Sequence, residues 1–261
     1  MKNILEEIKE HKRIEVQEKK ELYPIKLLES SQYFKSPCLS LNDYILRDDM
    51  SGVIAEFKRR SPSKGDINVY GDVEKVTIGY MQAGASALSI LTDEKFFGGK
   101  SSDLTVARNY NYCPILRKDF IVDEYQIIES RSIGADAILL IAECLSKAEI
   151  QQFTTLAKNL GMEVLCELHN EDQLVKLNDD IDLIGVNNRD LKVFKTSIQN
   201  SIRIKESLPT NKTLISESGI NSLEDIALLK SAGFHGFLIG ELFMKEEHPE
   251  LAARNFISSI V

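Results

Sequence analysis

Two lysines lie where apolar segments of the chain give way to polar turns. Lys58 follows the run VIAEF, and Lys118 ends the run PILRK. A lysine just inside a buried strand is energetically costly unless an opposite charge pairs with it. A lysine held in this way can donate a proton or bind an anion. The placement therefore indicates proton transfer or recognition of an acidic ligand.

Four more polar residues have matching positions, one in the same run as Lys58 and three in other apolar runs. Side chains alternate along a strand, so Glu56 shares the orientation of Lys58, and both are expected to face the same interior. Glu167 in MEVLCELH, Asn187 in LIGVNN and Glu217 in LISESG lie at the corresponding height of their own strands. The predicted inward polar set is Glu56, Lys58, Lys118, Glu167, Asn187 and Glu217. Six such groups at one end of an apolar interior predict an active site.

A second set of residues predicts a phosphate site. The turns SESGI and LIGEL follow late apolar runs and precede helices, where backbone N–H groups commonly bind phosphate. The basic segment KRRSPSKG would add positive charge across the mouth. The carboxylate of Glu241 would repel a dianion, so its side chain is expected to turn away. The predicted phosphate-site residues are Arg60, Ser61, Ser218, Gly219, Gly240 and Glu241.

The elements that must position these residues form a repeat. Eight short apolar runs alternate with segments of helical periodicity. Runs that are apolar throughout indicate parallel strands buried on both faces. Eight units favour a (β/α)8 TIM barrel, whose catalytic residues lie at the C-terminal ends of the strands. An open doubly wound sheet is the alternative, although the first turn is basic and lacks a GxGxxG pattern.

Residues 1 to about 45 precede the first strand and are predicted to be a helical extension of a single domain, 1–261. The segment ILEEIKEHKRIEVQEKKEL has the charge pattern of a helix, and SLNDYIL indicates a short capped helix. This extension is expected to close one mouth of the barrel.

Composition restricts the partners. The formal charge of −8 argues against general nucleic-acid binding, whereas a local basic cluster suits a small anionic ligand. Four cysteines without a CxxC pair predict neither a disulfide scaffold nor a zinc site. No segment has the pattern of a signal peptide or the length of a membrane span. A cytoplasmic protein that binds no membrane and no metal is expected.

The motifs, taken in order along the chain, resemble those of the indole-3-glycerol-phosphate synthase family. EFKRRSPS and LRKDFI are highly specific, whereas ISESGI and LIGE are shared with other phosphate-binding barrels. The resemblance implies a step of tryptophan biosynthesis. In it, 1-(2-carboxyphenylamino)-1-deoxyribulose 5-phosphate loses carbon dioxide and water as the indole ring closes. It implies no cofactor, a small phosphorylated, anthranilate-derived substrate, and a monomer or weak oligomer that can associate with other enzymes of the tryptophan pathway.

Roles follow from the resemblance position by position. Lys118 corresponds to the general acid that protonates the substrate carbonyl. Lys58 corresponds to the lysine that pairs with the substrate carboxylate and is a second candidate acid for dehydration, and Glu167 would take or relay a proton. Two lysines close together are expected to lower each other's pKa toward the range useful for proton donation.

The remaining positions would orient or surround the substrate. Glu56, Asn187 and Glu217 would orient the lysines and the substrate hydroxyls. Phe97, Phe120 and Leu191 would form an apolar wall against the anthranilate ring, with Arg189 at its rim. The chain has no tryptophan, so any stacking that relatives obtain from tryptophan in the extension must come from Phe, Tyr or an apolar side chain, or be absent.

Two rival functions are open. Another phosphate-binding barrel, such as phosphoribosylanthranilate isomerase or the tryptophan synthase α chain, is the nearer one. The isomerase normally uses a Cys and Asp pair at strand ends, but here the first strand ends in Lys58. The other rival is a non-catalytic phosphate-ligand sensor, which would be expected to lack one of the lysines or glutamates.

Overall fold

The strands form a closed barrel. The computed structural model describes residues 4–189 and 195–260. In these residues eight parallel strands pair each with the next along the chain, and the last pairs with the first. They are β1 (Val53–Phe57), β2 (Ala87–Leu91), β3 (Ile115–Lys118), β4 (Ala137–Ile141), β5 (Glu163–Leu168), β6 (Leu183–Asn187), β7 (Thr213–Glu217) and β8 (Gly236–Ile239). The predicted (β/α)8 barrel is confirmed.

Helices connect the strands and cover the outside of the barrel. Those in the described residues are α1 (Ile4–Leu22), α2 (Ile25–Glu29), α3 (Leu41–Leu46), α4 (Val73–Gln82), α5 (Glu94–Phe97), α6 (Ser101–Tyr110), α7 (Glu124–Ile133), α8 (Lys147–Asn159), α9 (Gln199–Lys205), α10 (Leu223–Ser231), α11 (Glu241–Met244) and α12 (Pro249–Ile257). Short 3-10 helices span Gln32–Lys35 and Glu171–Lys176, and Arg60–Ser61 pairs with Gly65–Asp66 in a hairpin after β1. No helix within the described ranges is long and apolar enough to cross a membrane.

Capping residues set the boundaries of several helices. Ser146 and Ser222 form capping boxes at the N-termini of α8 and α10, which satisfies backbone N–H groups that have no partner within the helix. Gly134 ends α7 with φ of 97° just before β4. A left-handed residue at this position suits glycine because it has no Cβ.

The N-terminal extension contacts both ends of the barrel. Lys12 of α1 pairs with Asp119, which directly follows β3, so α1 lies at the C-terminal ends of the strands. At the opposite end, the Ser40 hydroxyl and the Asn42 N–H donate to Glu163 at the start of β5. The extension therefore covers the mouth that carries the predicted active site and also packs against the bottom of the barrel.

Asp136 joins the extension to the sheet just before β4. Its carboxylate accepts hydrogen bonds from the N–H of Leu39 and the N–H of Ile115, both at 2.8 Å, and from Arg108 at 2.6 Å. Burial raises the pKa of Asp136, and Arg108 opposes that shift. One buried side chain thus satisfies two backbone donors from segments far apart in sequence.

We expect Asp136→Ala to lower the free energy of unfolding by about 3 kcal/mol, because it leaves two backbone donors and a guanidinium without their acceptor. Urea titration followed by far-ultraviolet circular dichroism measures this. The matched control is Asp48→Ala, at an exposed aspartate, which should change stability by less than about 0.5 kcal/mol. Equal effects of the two substitutions would contradict the anchoring role.

Candidate active site

A cavity of about 460 Å³ opens at the C-terminal ends of the strands. This is where sites occur in barrels of this kind. Its wall includes these predicted residues: Glu56, Lys58, Ser61, Phe97, Lys118, Phe120, Glu167, Asn187, Arg189, Ser218, Gly219, Gly240 and Glu241. Glu217 is not part of the cavity wall, but its carboxylate contacts Lys118. Leu191 lies outside the described residues.

The ammonium of Lys118 lies between two carboxylates. Its Nζ is 2.8 Å from Oε2 of Glu217 and 3.1 Å from Oε2 of Glu167. Burial alone would lower the pKa of Lys118, but Glu217, Glu167 and Glu56 outweigh it and raise the pKa above the ordinary lysine value. The expectation of a lowered pKa is therefore wrong for Lys118, because carboxylates and not the second lysine are its nearest charges.

Lys58 has its own carboxylate partner. Its Nζ is 2.8 Å from Oε1 of Glu56, and the hydroxyl of Ser89 lies 3.4 Å from the other oxygen. Glu56 packs against the backbone of Gly240, where a Cβ atom would lie 2.7 Å from Oε1. Glycine at this position leaves room for the carboxylate between β1 and β8.

Glu167 connects Lys118 to two neighbouring polar groups. Its Oε1 accepts a hydrogen bond from Nδ2 of Asn187 at 3.1 Å and lies 2.7 Å from Nε2 of His169. Burial would raise the pKa of Glu167, but Lys118 and His169 lower it below the usual range. Burial and the neighbouring charge of Glu167 raise the pKa of Glu217 instead. The two carboxylates that contact Lys118 therefore differ in their affinity for a proton.

The turn after β7 has the backbone geometry of a binding loop. Ser218 has φ of 70° and Gly219 has φ of 74°, and Ser218 is the one non-glycine residue with positive φ in the described chain. A non-glycine residue in the left-handed region costs about 1–2 kcal/mol, and such strain concentrates at functional sites. Nδ2 of Asn188 donates to the carbonyl of Ser218 and stabilises this turn.

Glu241 differs from its predicted orientation. Its side chain lines the cavity, with Oε1 at 3.1 Å from Nζ of Lys64 and Oε2 at 3.4 Å from Nη2 of Arg189. Burial would raise the pKa of Glu241, but Lys64, Lys58 and Arg189 lower it. The carboxylate does not turn away, because two cations from other loops converge on it.

Arg60 is not brought into the cavity wall. Its Nη2 lies 3.1 Å from Oδ1 of Asp66 within the hairpin after β1, and 43% of its side chain is exposed. Arg189 occupies a more enclosed position, where it contacts both Glu241 and the hydroxyl of Ser63. Within the described residues, Lys64 and Arg189 therefore supply positive charge beside the glycine turns.

An apolar wall lies beside the lysines. The rings of Phe97 and Phe120 pack with their centroids 5.9 Å apart. Helix α1 also contributes Ile4, Leu5 and Ile8 to the cavity wall. Among the described residues, the extension therefore lines the cavity with aliphatic side chains and with no aromatic ring.

Sequence reasoning missed three groups in the site. His169 follows Glu167 by two residues, and side chains two apart on a strand face the same side. That spacing could have identified His169 as a neighbour of Glu167. The sequence does not single out Lys64 within the basic segment KRRSPSKG, since its position depends on the fold of the hairpin. The aliphatic residues of α1 carry a helical pattern, but the pattern does not reveal which surface the helix covers.

This arrangement combines three chemical capacities. Two ammonium groups with carboxylate partners can transfer protons, two cations beside glycine turns can bind an anion, and the phenylalanines can hold a flat ring. Within residues 4–189 and 195–260, no group of three or more His, Cys, Asp or Glu side chains could hold a metal ion.

Comparison with known proteins identifies a family. A model of indole-3-glycerol phosphate synthases matches residues 5–256. The chain is 47% identical to the indole-3-glycerol phosphate synthase of Bacteroides thetaiotaomicron, and the match covers 100% of both chains. It is 44% identical to that of Legionella pneumophila (strain Paris), over 95% of this chain and 96% of the relative. The crystal structure of KGPDC from Streptococcus mutans superposes with a TM-score of 0.61 at 14% identity over 81% of this chain and 97% of that one, which shows a shared fold.

Proposed function

The chain belongs to the indole-3-glycerol phosphate synthase family, and we propose that its barrel mouth catalyses that ring closure with Lys118 as the general acid. The chain is accordingly a decarboxylating lyase of tryptophan biosynthesis. Its substrate is 1-(2-carboxyphenylamino)-1-deoxyribulose 5-phosphate, and the products are indole-3-glycerol phosphate, carbon dioxide and water.

One observation supports the assignment of Lys118 above the others. Its ammonium is held at 2.8 Å from Glu217 and 3.1 Å from Glu167 inside the mouth of the barrel. Such pairing keeps the amine charged, so a proton is present when the substrate arrives. Position and protonation state are both what a general acid requires.

The first step joins the ring carbon that bears the carboxylate to the ketone carbon of the substrate. The electron pair of the carbonyl moves to its oxygen, which takes a proton from Lys118 and becomes a hydroxyl. Carbon dioxide then leaves, and its bonding electrons restore the aromatic ring. Lys58 faces the same cavity and pairs with the departing carboxylate through its charge.

Dehydration then completes the indole. The new hydroxyl leaves as water after it receives a second proton, for which Lys58 and Lys118 are the two ammonium donors in the wall. Glu167 takes the proton that the adjacent carbon loses as the ring double bond forms. Two protons are donated and one is removed, so the reaction consumes one proton overall. Asn187 holds Glu167 in place for this step.

The substrate phosphate is assigned to the part of the cavity wall formed by the glycine turns after β7 and β8. Gly219 and Gly240 place backbone against the cavity, and Lys64 and Arg189 meet there on Glu241. A substrate phosphate with two negative charges would compete with the Glu241 carboxylate for these cations. Phe97 and Phe120 would then contact the aromatic ring.

The direct test is formation of indole fluorescence from the carboxyphenylamino substrate. The chain contains no tryptophan, so product is detected against a low protein background. Turnover supports the enzyme, whereas saturable binding without product would support the sensor. The rival isomerase would need a cysteine in the cavity wall, and no cysteine of the described residues lines it.

We expect Lys118→Ala to lower kcat at least about a hundredfold, because a positioned proton donor contributes roughly 10²–10⁴-fold to the rate. Substrate should still bind, since the phosphate-side residues are intact. Stopped-flow binding and steady-state fluorescence measure the two effects separately. A kcat near that of the unmodified enzyme would remove Lys118 from its role.

Arg189→Ala should raise KM about tenfold or more, as expected for loss of a charged hydrogen bond to a phosphate, with a smaller effect on kcat. Arg60→Ala is the matched control from the same mouth, because Arg60 pairs with Asp66 outside the cavity wall. If Arg60→Ala raised KM more than Arg189→Ala, the original sequence-based assignment of phosphate to Arg60 would be preferred.

Finer features of the cellular setting are also proposals. A cytoplasmic location agrees with four free cysteines, since reducing compartments keep thiols unpaired. We also propose a monomer or weak oligomer that can associate with other enzymes of the tryptophan pathway. Size-exclusion chromatography with light scattering tests the oligomeric state.

A further inference from the structure

Lys12 of α1 is a fully buried cation outside the cavity wall. Its side chain is 0% exposed, and its Nζ lies 3.0 Å from both Oδ2 of Asp93 and Oδ1 of Asp119. Oε2 of Glu15 lies 2.9 Å away. Burying an ammonium is costly unless it is well paired. Burial would lower the pKa of Lys12, but the three carboxylates raise it, so the residue remains charged.

Asp119 links this cation to the proposed general acid. It lies between Lys118 and Phe120 in sequence, and both neighbours line the cavity. Its Oδ1 also accepts the N–H of Phe120 at 2.8 Å, and its Oδ2 accepts from Thr92 at 2.6 Å and from Arg117 at 3.1 Å. The Asp119 carboxylate therefore restrains the backbone on which Lys118 is carried.

Asp93 links the same cation to the aromatic wall. Its Oδ1 accepts the N–H groups of Phe96 at 2.7 Å and Phe97 at 3.2 Å, which caps α5. Phe97 packs against Phe120 in the apolar wall of the cavity. Lys12 thus bridges two carboxylates, one beside Lys118 and one that sets the position of Phe97.

The contact belongs to a closed ring of ion pairs that docks α1 on the barrel. Lys12 contacts Glu15, Glu15 contacts Lys19 at 3.1 Å, and Lys19 contacts Glu129 of α7 at 3.0 Å. Glu129 then contacts Arg117 at 2.7 Å, and Arg117 contacts Asp119 at 3.1 Å. Cations and anions alternate around the ring, which joins α1 to the strand that ends in Lys118.

We infer that Lys12 is a positioning residue for the ring closure: through Asp119 and Asp93 it fixes Lys118 and the wall formed by Phe97 and Phe120. This inference rests on the proposed function, because it takes Lys118 as the acid. Lys12 does not line the cavity, so its inferred contribution is geometric. On this inference, a helix of the N-terminal extension helps to position the catalytic side chains.

The test compares Lys12→Met with Lys20→Met. Methionine keeps the length of the side chain and removes its charge. Lys20 lies on the same helix and pairs with Asp123 at 2.8 Å, with 37% of its side chain exposed. The other variants are Asp93→Asn, whose amide oxygen can still cap α5, and the double variant Lys12→Met with Asp93→Asn. Rates are measured by indole fluorescence well below each variant's melting temperature, so that stability does not limit the rate.

Lys12→Met should lower kcat by about 10- to 100-fold, because small displacements of a reacting group have effects of this size, and KM should rise by less than about fivefold. Lys20→Met should stay within about twofold of the unmodified enzyme. The double variant should recover part of the kcat, since it no longer buries an unpaired Asp93 carboxylate. It should remain about tenfold below Asp93→Asn alone, because Asp119 still lacks its ammonium.

A second readout separates positioning from stability. In protein labelled with ¹³C-lysine, the ε-carbon signal of Lys118 should shift in Lys12→Met and stay unchanged in Lys20→Met. An unshifted signal, an unchanged kcat, or a loss confined to KM would each overturn the inference. If Lys12→Met does not fold, the comparison of the double variant with Asp93→Asn carries the same test.

Failure of the proposed function would look different. In that case the unmodified protein would form no indole from the carboxyphenylamino substrate, whatever the state of Lys12. The Lys118 signal in Lys12→Met would still show whether the buried cation positions that side chain.

Discussion

The ammonium of Lys118 has to remain charged inside an apolar barrel, and much of the site follows from that requirement. An isolated buried ion costs several kcal/mol, so carboxylates must contact it directly. Glu217 and Glu167 do so at 2.8 and 3.1 Å. Space for Glu217 comes from Gly185 in the neighbouring strand, where a Cβ atom would collide with Oε1. Gly185 in β6 thus leaves room for the Glu217 carboxylate in β7, and that carboxylate stabilises the charge of Lys118.

Four other cations around the described part of the mouth are also paired with carboxylates. Lys58 pairs with Glu56, Lys64 and Arg189 meet on Glu241, and Lys12 bridges Asp93 and Asp119. The cations differ in whether a ligand in the cavity could replace their carboxylate partners. Lys64 and Arg189 both line the cavity, so under the proposed function they would exchange the Glu241 carboxylate for the substrate phosphate. Lys12 is buried where α1 packs on the barrel and does not line the cavity, so a ligand in the cavity would not replace its partners, which agrees with the inferred positioning role.

The sequence predicts the barrel well, because apolar runs of strand length alternate with capped helices and leave few other architectures. It also predicts which side chains face inward, since parity along a strand places Glu56, Lys58 and Lys118 on one face. It does not predict the raised pKa of Lys118, which depends on distances across the barrel. The orientation of Glu241 and the pairing of Lys12 with Asp93 also depend on how distant segments pack, and no local pattern records that packing.

The charge state of Lys118 in the free protein is the most direct measurement. In protein labelled with ¹³C-lysine, the ε-carbon signal assigned by Lys118→Arg should show no titration midpoint below the ordinary lysine pKa of about 10.4. Glu217→Gln, which removes one of the two contacting carboxylates, should lower that midpoint. A midpoint well below the ordinary value in the unmodified protein would mean that the carboxylates do not hold the charge, and it would contradict the electrostatic basis of the site.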